Sequence, residues 1–510
     1  MEPRSRVRRS GWSAPIVALA VAMLVAAGCS AAPERADGAS FTFGVQAAVN
    51  SLDPAQLHDG QQGYVWSAVY DTLLYSDNDA VLRPNAAESW AYSADARTLT
   101  LTLRGGMTFS NGDPVTAGAV RTTLERTRVT PGPQKGNLAQ VTSVEAPDER
   151  TVVLHLQHPD PNLLYALSGA TGVIGHPGTI DDPSVDLNPI GSGPYVLNRE
   201  ATIAGSRYVL QRRADYWNVA AYPFATMTIR VLPDRTALFN ALVSSEVDAG
   251  TVEGNRVRAA ESADLSVKLV QGVTTAEIVL ADRAGKVVPA LADVRVRRAI
   301  NMAFDRQKIV DRILGGFGTP TTQVFGLKGP AYVPQLDDRY RYDPPAARRL
   351  LAEAGYPNGF SVAMPSNLPS QTFEPTITQA LADIGITVTW EPVPAQNASA
   401  TTDRGMYVNM AGTAPPPRTA VVKLSSIGSQ NPFGSRTPEL DGLLRAVEDE
   451  TDPDRAAAGY RDINGYVVEN AWFAPLFSIS TNWVTRKGIE YLGTGANPAP
   501  TIRTFGISRT

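Results

Sequence analysis

The chain holds one cysteine, Cys29, and it stands at the end of an apolar N-terminal stretch. Arg4, Arg6, Arg8 and Arg9 form a basic lead, residues 14–27 carry no charge, and Ala26, Ala27 and Gly28 precede the thiol. A basic segment, a short apolar run and small residues before a cut describe a secretory signal. The apolar run falls short of the roughly 20 residues that a membrane-crossing helix needs. Two constraints on the fold follow. The folded part begins after this leader, and no intramolecular disulfide can brace it, even in an oxidising compartment. Stability must come from packing, and 510 residues are enough for two or three lobes with sizeable cores. Residues 1–28 carry four Arg against one Glu, so their removal takes the formal charge from −4 to −7. A mildly acidic surface argues against nucleic acid as a partner. Residues 30–40, small and polar, read as a flexible tether.

Beyond the tether the pattern mixes short strands and helices. Residues 41–45 and 98–104 alternate as strands do, the latter with Leu99, Leu101 and Leu103 on one face. Strands are also expected at 89–92, 141–144, 151–156, 195–197, 208–211, 227–232 and 386–390. Residues 64–74 have helical spacing, with Trp66, Val69, Tyr70, Leu73 and Leu74 on one stripe. Helices are likewise expected at 116–126, 236–244 and 371–384. Asp293 can cap a helix running to about Leu314, with Arg295, Arg297, Arg298, Asp305 and Arg306 mostly on its wet face. Asp343-Pro344, Thr437-Pro438 and Asp452-Pro453 are N-caps followed by proline at the first helical position. The fold class is α/β, in the sense of mixed α+β.

Catalytic signatures are missing. The four His do not have zinc-protease spacing, and there is no nucleophile elbow, P-loop or dinucleotide-binding glycine pattern. His58-Asp59 reads as an exposed loop pair, and Asp77-Asn78-Asp79 lacks the glycine and distal Glu of a calcium loop and reads as a turn. Neither an enzyme nor a metal or other cofactor is expected.

Two resemblances give the chain a function. Ala-Ala-Gly-Cys at 26–29 resembles the lipobox of bacterial lipoproteins, which implies cleavage before Cys29 and its lipidation, anchoring the chain to the outer face of the cell membrane. Asn50-Ser-Leu-Asp-Pro54, Val69-Tyr-Asp-Thr-Leu-Leu74, Leu82–Trp90, Leu103–Ala117 and Gly191–Tyr195 resemble, in order, stretches of family 5 of the bacterial extracellular solute-binding proteins. So do Asp293–Ile300 with Ala303–Arg306, Tyr342–Pro344 with Leu350–Pro357, and Pro438–Leu444. The resemblance covers nearly all of the chain after the leader. It implies a two-lobed periplasmic-binding-protein-like clamshell with an extra subdomain in lobe I. Lobe I would comprise 41–79, 186–279 and 471–510, the subdomain 80–185, and lobe II 280–470. It further implies the substrate-binding subunit of an ABC importer: a monomer that captures a peptide or peptide-like small solute and hands it to permease and ATPase subunits. The alternatives are a ligand-presenting receptor for a membrane sensor and a secreted hydrolase. Peptide receptors of the family carry an aspartate for the peptide ammonium in lobe II, whereas residues 405–417 here contain no acid. A neutral, apolar or anionic solute fits that stretch better. The ligand-binding candidates are Asn50, Trp66 and Tyr70 on the lobe I side, with Asn409, Met410, Asn431 and Phe433 from lobe II.

Overall fold

A computed structural model describes residues 39–49, 51–393, 404–448, 450, 452–497 and 501–508. Cys29 and Asn50 therefore lie outside the described residues. Among the described residues, no helix is long and apolar enough to cross a membrane.

The architecture turns on two long antiparallel strands, Ser266–Leu280 and Phe473–Thr485, which pair along most of their length. They sit within a nine-stranded sheet. Beyond the first lies the edge strand Met406–Gly412. Beyond the second follow Ala249–Val252, Ala39–Val45, Phe224–Val231, Arg207–Arg212 and Tyr195–Leu197, while Gly318–Pro320 pairs with Phe473–Thr485 off this path. The two long strands serve different cores at their two ends. Ala276, Ile278, Leu280, Ala474, Leu476 and Phe477 belong to one core, shared with the helices Val294–Met302 and Arg306–Ile313 and the parallel pair Phe360–Ser366 and Ile386–Pro392. Val267 and Val484 pack instead with Leu238 and Leu242 of the helix Arg235–Val243. Between the two ends the register breaks from Val270 to Thr274, with Gly272 at φ +87°, a conformation that costs glycine little and other residues more. The two strands thus run from one core to another, with the register break, the joint between the two runs, at their crossing.

A second sheet, Ala87–Tyr92, Thr98–Leu103, Thr151–Leu156 and Val141–Glu145 in spatial order, is antiparallel. It packs under the helix Ala117–Val129 with a core of its own built on Leu99, Leu101, Leu103, Val120 and Leu124. The local readings of 98–104, 116–126, 141–144 and 151–156 correspond to these elements.

Three readings need correction. The helix expected at 64–74 is Gly63–Val69; Tyr70 is already extended, and the chain turns into the strand Leu74–Ser76. The single helix expected from 293 to 314 is two, Val294–Met302 and Arg306–Ile313, because Asp305 caps the second by accepting from Lys308 N at 3.1 Å. Arg297 and Arg306 are buried, not wet. Arg306 donates to Pro475 O at 2.8 Å, to Asn301 O and Tyr340 O at 3.0 and 3.1 Å, and to Asn301 Oδ1 at 3.0 Å. A planar guanidinium can satisfy several carbonyls at once, which offsets its burial.

Candidate functional site

Two cavities open side by side at the strand crossing, and Thr413 lines both. The larger, about 380 Å³, is walled by Val270, Thr274 and Thr481 at the crossing, by Gln46 after the first strand, and by Gln61 and the ring of Trp483. Gln61 fixes the exit of the first strand: its Oε1 accepts from Gln46 N at 2.8 Å and from Ala47 N at 3.0 Å. Trp483 stacks on Tyr491 with ring centroids 4.3 Å apart and planes 14° apart, and Tyr64 meets it edge-on at 6.2 Å. Burial pushes the Tyr491 phenol up to about 12 and the Tyr64 phenol well above its ordinary value, so both are neutral at physiological pH. Among the described residues, no Asp, Glu, Lys, Arg or His lines this cavity. It offers amides, hydroxyls, backbone groups and ring faces, a lining for a solute held by hydrogen bonds and stacking. Gly495, at φ +92°, lets the 493–497 segment close over the crossing: a Cβ there would stand 2.1 Å from Gln271 O.

The smaller cavity, about 180 Å³, is lined by Thr275, Ala411, Gly412, Arg418, Lys423 and Gln430, among others. Thr413 ties the edge strand to the joint, its N donating to Val273 O at 3.0 Å and its hydroxyl to Gly272 O. Beneath it lies an ion pair. Glu277, with no exposed surface, accepts from Lys423 Nζ and, at 2.9 Å, from Asn409 Nδ2 through the same oxygen, Oε1. Lys423 also donates to Gln430 Oε1 at 2.7 Å and stands 5.1 Å from the Phe473 ring centre. Glu277 Oε2 has no hydrogen-bond partner among the described residues. Arg418 is exposed and donates to Asn137 Oδ1 at 2.8 Å, joining positions 281 apart in sequence.

None of the candidates that the structure describes lines either cavity. Trp66 and Tyr70 are buried, with their polar tips spent on His58 O at 2.8 Å and Leu52 O at 2.7 Å. Tyr64 of the same helix reaches the cavity instead. Two positions along a helix differ by about 200°, so Trp66 faces away from it. Asn431 is consumed by its own loop: its Nδ2 donates to Ser425 O and Ser435 O, and its Oδ1 accepts from Ser435 N and Arg283 Nη1. Phe433 packs against the core that includes Leu440 and Phe473. Met410 faces the core of Ile278 and Phe477. Asn409 stands one pleat short of the cavity, its amide held by Glu277, and the lining begins at Ala411. Sequence reasoning missed Gln61, Thr413, Trp483 and Tyr491. Their signal is positional rather than chemical, because each sits where a strand or loop meets the joint.

The pattern of the bacterial extracellular solute-binding proteins, family 5 Middle, matches residues 81–433. The chain belongs to this family. Protein XP55 of Streptomyces lividans is 29% identical over 98% of both chains. The glutathione-binding protein GsiB of Escherichia coli is 28% identical over 74% of this chain and 73% of its own. Among solved structures, HbpA2 from Haemophilus parasuis shares the fold with a TM-score of 0.80 at 21% identity, covering 92% of this chain and all of that one. This family 5 protein thus has the fold and lineage of a transport binding protein rather than of an enzyme. Among its described residues no group of three or more His, Cys, Asp or Glu could hold a metal ion.

Proposed function

We propose that this family 5 protein is the lipid-anchored, extracytoplasmic substrate-binding subunit of an ABC importer. It captures a peptide-like small solute in the neutral cavity at the strand crossing and delivers it to permease and ATPase subunits. The observation that carries this reading is the place of the cavity. Its walls come from the lobe I segments, and Thr413 of the lobe II segment completes them, so a solute there gains the Thr413 contact only when the lobes are closed, and binding favours closure. The lobes are those expected from the resemblance: 41–79, 186–279 and 471–510 as lobe I, with 80–185 as its subdomain, and 280–470 as lobe II. Cys29 carries the lipid, and the receptor works as a monomer without cofactor. GsiB, whose name gives glutathione as its ligand, supports a ligand of that size. Among the described residues the cavity has no carboxylate for a free ammonium, so the solute is held by hydrogen bonds and ring stacking.

The test uses residues 30–510, native mass spectrometry and calorimetry with blocked and free tripeptides. A peptide-like solute should co-purify or bind, and Thr413→Trp, which fills both cavities, should abolish it. Gln61→Ala, which removes a wall contact without filling space, should weaken binding about ten-fold. Equal binding by wild type and Thr413→Trp overturns the reading, and so does turnover of the solute.

A further inference from the structure

A third cavity, about 490 Å³, lies away from the strand crossing, and none of its lining residues is shared with the other two. Trp90 and Tyr92 come from the strand Ala87–Tyr92, and Asp160 and Tyr165 from the turn and short helix after Thr151–Leu156. Glu448 ends the helix Pro438–Glu448, and Tyr460 lies on the helix Pro453–Glu469. Four aromatic rings and two carboxylates thus share one space, and among the described residues no Lys, Arg or His lines it. A third acid, Glu450, is paired with Arg455 at 2.8 Å. Glu448 forms no ion pair among the described residues. Asp160 spends one oxygen on Asn162 N at 2.9 Å. Tyr460 is 4% exposed, and its ring lines the cavity. Asp160, Glu448 and Tyr165 all act electrostatically on its hydroxyl, so the groups converge. Two cations stand nearby outside the wall: Arg455, paired with Glu450, and Arg418, which follows Pro417, is engaged with Asn137 and acts electrostatically on Asp160.

We propose that this cavity binds an organic monocation: an ammonium or guanidinium on a small, flat or apolar body. Ring faces attract a cation, more strongly once it is desolvated, and two carboxylates with no basic partner in the wall supply the charge that a buried cation needs. The volume fits a small molecule. The site is separate from the neutral cavity, whose described lining residues carry no charge.

Benzyltrimethylammonium is the probe and benzyl alcohol its neutral control, titrated into residues 30–510 by calorimetry. The cation should bind at least about ten-fold tighter than the alcohol. Asp160→Asn with Glu448→Gln should remove that preference while leaving peptide-like solute binding at the crossing intact. Thr413→Trp should leave cation binding unchanged. Equal binding of cation and alcohol, no saturable binding, or loss of cation binding in Thr413→Trp would each overturn the proposal. Because Thr413→Trp and the carboxylate variants read different cavities, failure here is distinguishable from failure of the proposed import function.

Discussion

The buried pair of Glu277 and Lys423 shows how one residue's stability depends on another far away in sequence. Glu277 has no exposed surface, and its charge is met by one ammonium and one amide. A buried pair of this kind contributes little against an apolar replacement, but breaking it strands a charge. Lys423→Met should therefore cost about 3–5 kcal/mol in urea unfolding. Adding Glu277→Gln should recover most of the loss, since the remaining amide no longer carries charge. If the double variant is as unstable as the single one, Lys423 contributes through packing on Phe473 instead. The acid missing from residues 405–417 was legible in the sequence. That the nearby acid, Glu277, belongs to another strand was not, because only the pairing of Glu277 with Asn409 brings them together.

Elements were legible where their signals are local. The Asp343 and Asp452 caps stand where their cap-and-proline pattern puts them: Asp343 accepts from Ala346 N at 2.9 Å, and Asp452 from Arg455 N at 2.9 Å. The strands Ser266–Leu280 and Phe473–Thr485 gave no such signal. Their apolar residues serve two cores, so neither strand shows one clean alternation, and their partners lie about 200 positions away. The cavities stand at this crossing, so the site was hidden for the same reason. The break at Ala303–Asp305 is a milder case. Helical periodicity continues across it, and tertiary demand wins: the break sets Arg306 within reach of Pro475 O and Tyr340 O. Asp305→Ala should cost about 1 kcal/mol by loss of the cap, read as a lower urea midpoint with an unchanged m-value. Asp305→Ser should restore most of it. A substantial fall in m would mean that the break itself had closed into one helix.

Two predictions belong to the molecule as a whole. The first concerns acid. Hydrogen bonds from Arg213, Arg295 and Arg339 hold Asp215, Asp293 and Glu469 below the ordinary carboxylate range. Such groups add stability above their unfolded values of 3.8 and 4.5 and lose it as pH falls through the folded values. Burial raises Asp59, Asp71 and Asp160 instead, and these act with the opposite sign, costing stability as pH rises past 3.8. These match three against three, but further carboxylates are also lowered, such as Asp77, Asp113, Asp148 and Glu246, so the urea midpoint should fall as pH drops below about 4.5. Glu469→Gln should flatten that slope.

The second concerns closure. The contact of Arg418 with Asn137 joins a residue of the smaller cavity to the turn after the helix Ala117–Val129, segments assigned above to opposite lobes. An exposed hydrogen bond of this kind contributes about 1 kcal/mol. That is too little to hold the fold, but enough to move a closely balanced open–closed equilibrium about five-fold. Asn137 lines neither cavity at the crossing, so Asn137→Ala leaves the solute's contacts in place; besides the contact with Arg418 it removes local hydrogen bonds to Gln134 and Thr171. Small-angle scattering of the unliganded variant should show a larger radius of gyration. Its solute affinity should weaken by the same factor, because a ligand that binds only the closed form loses affinity in proportion to that form's population. An unchanged radius with weakened binding would assign Asn137 to the site itself. A changed radius with unchanged affinity would mean that the solute does not require closure, and the clamshell account of this receptor would fail at that point.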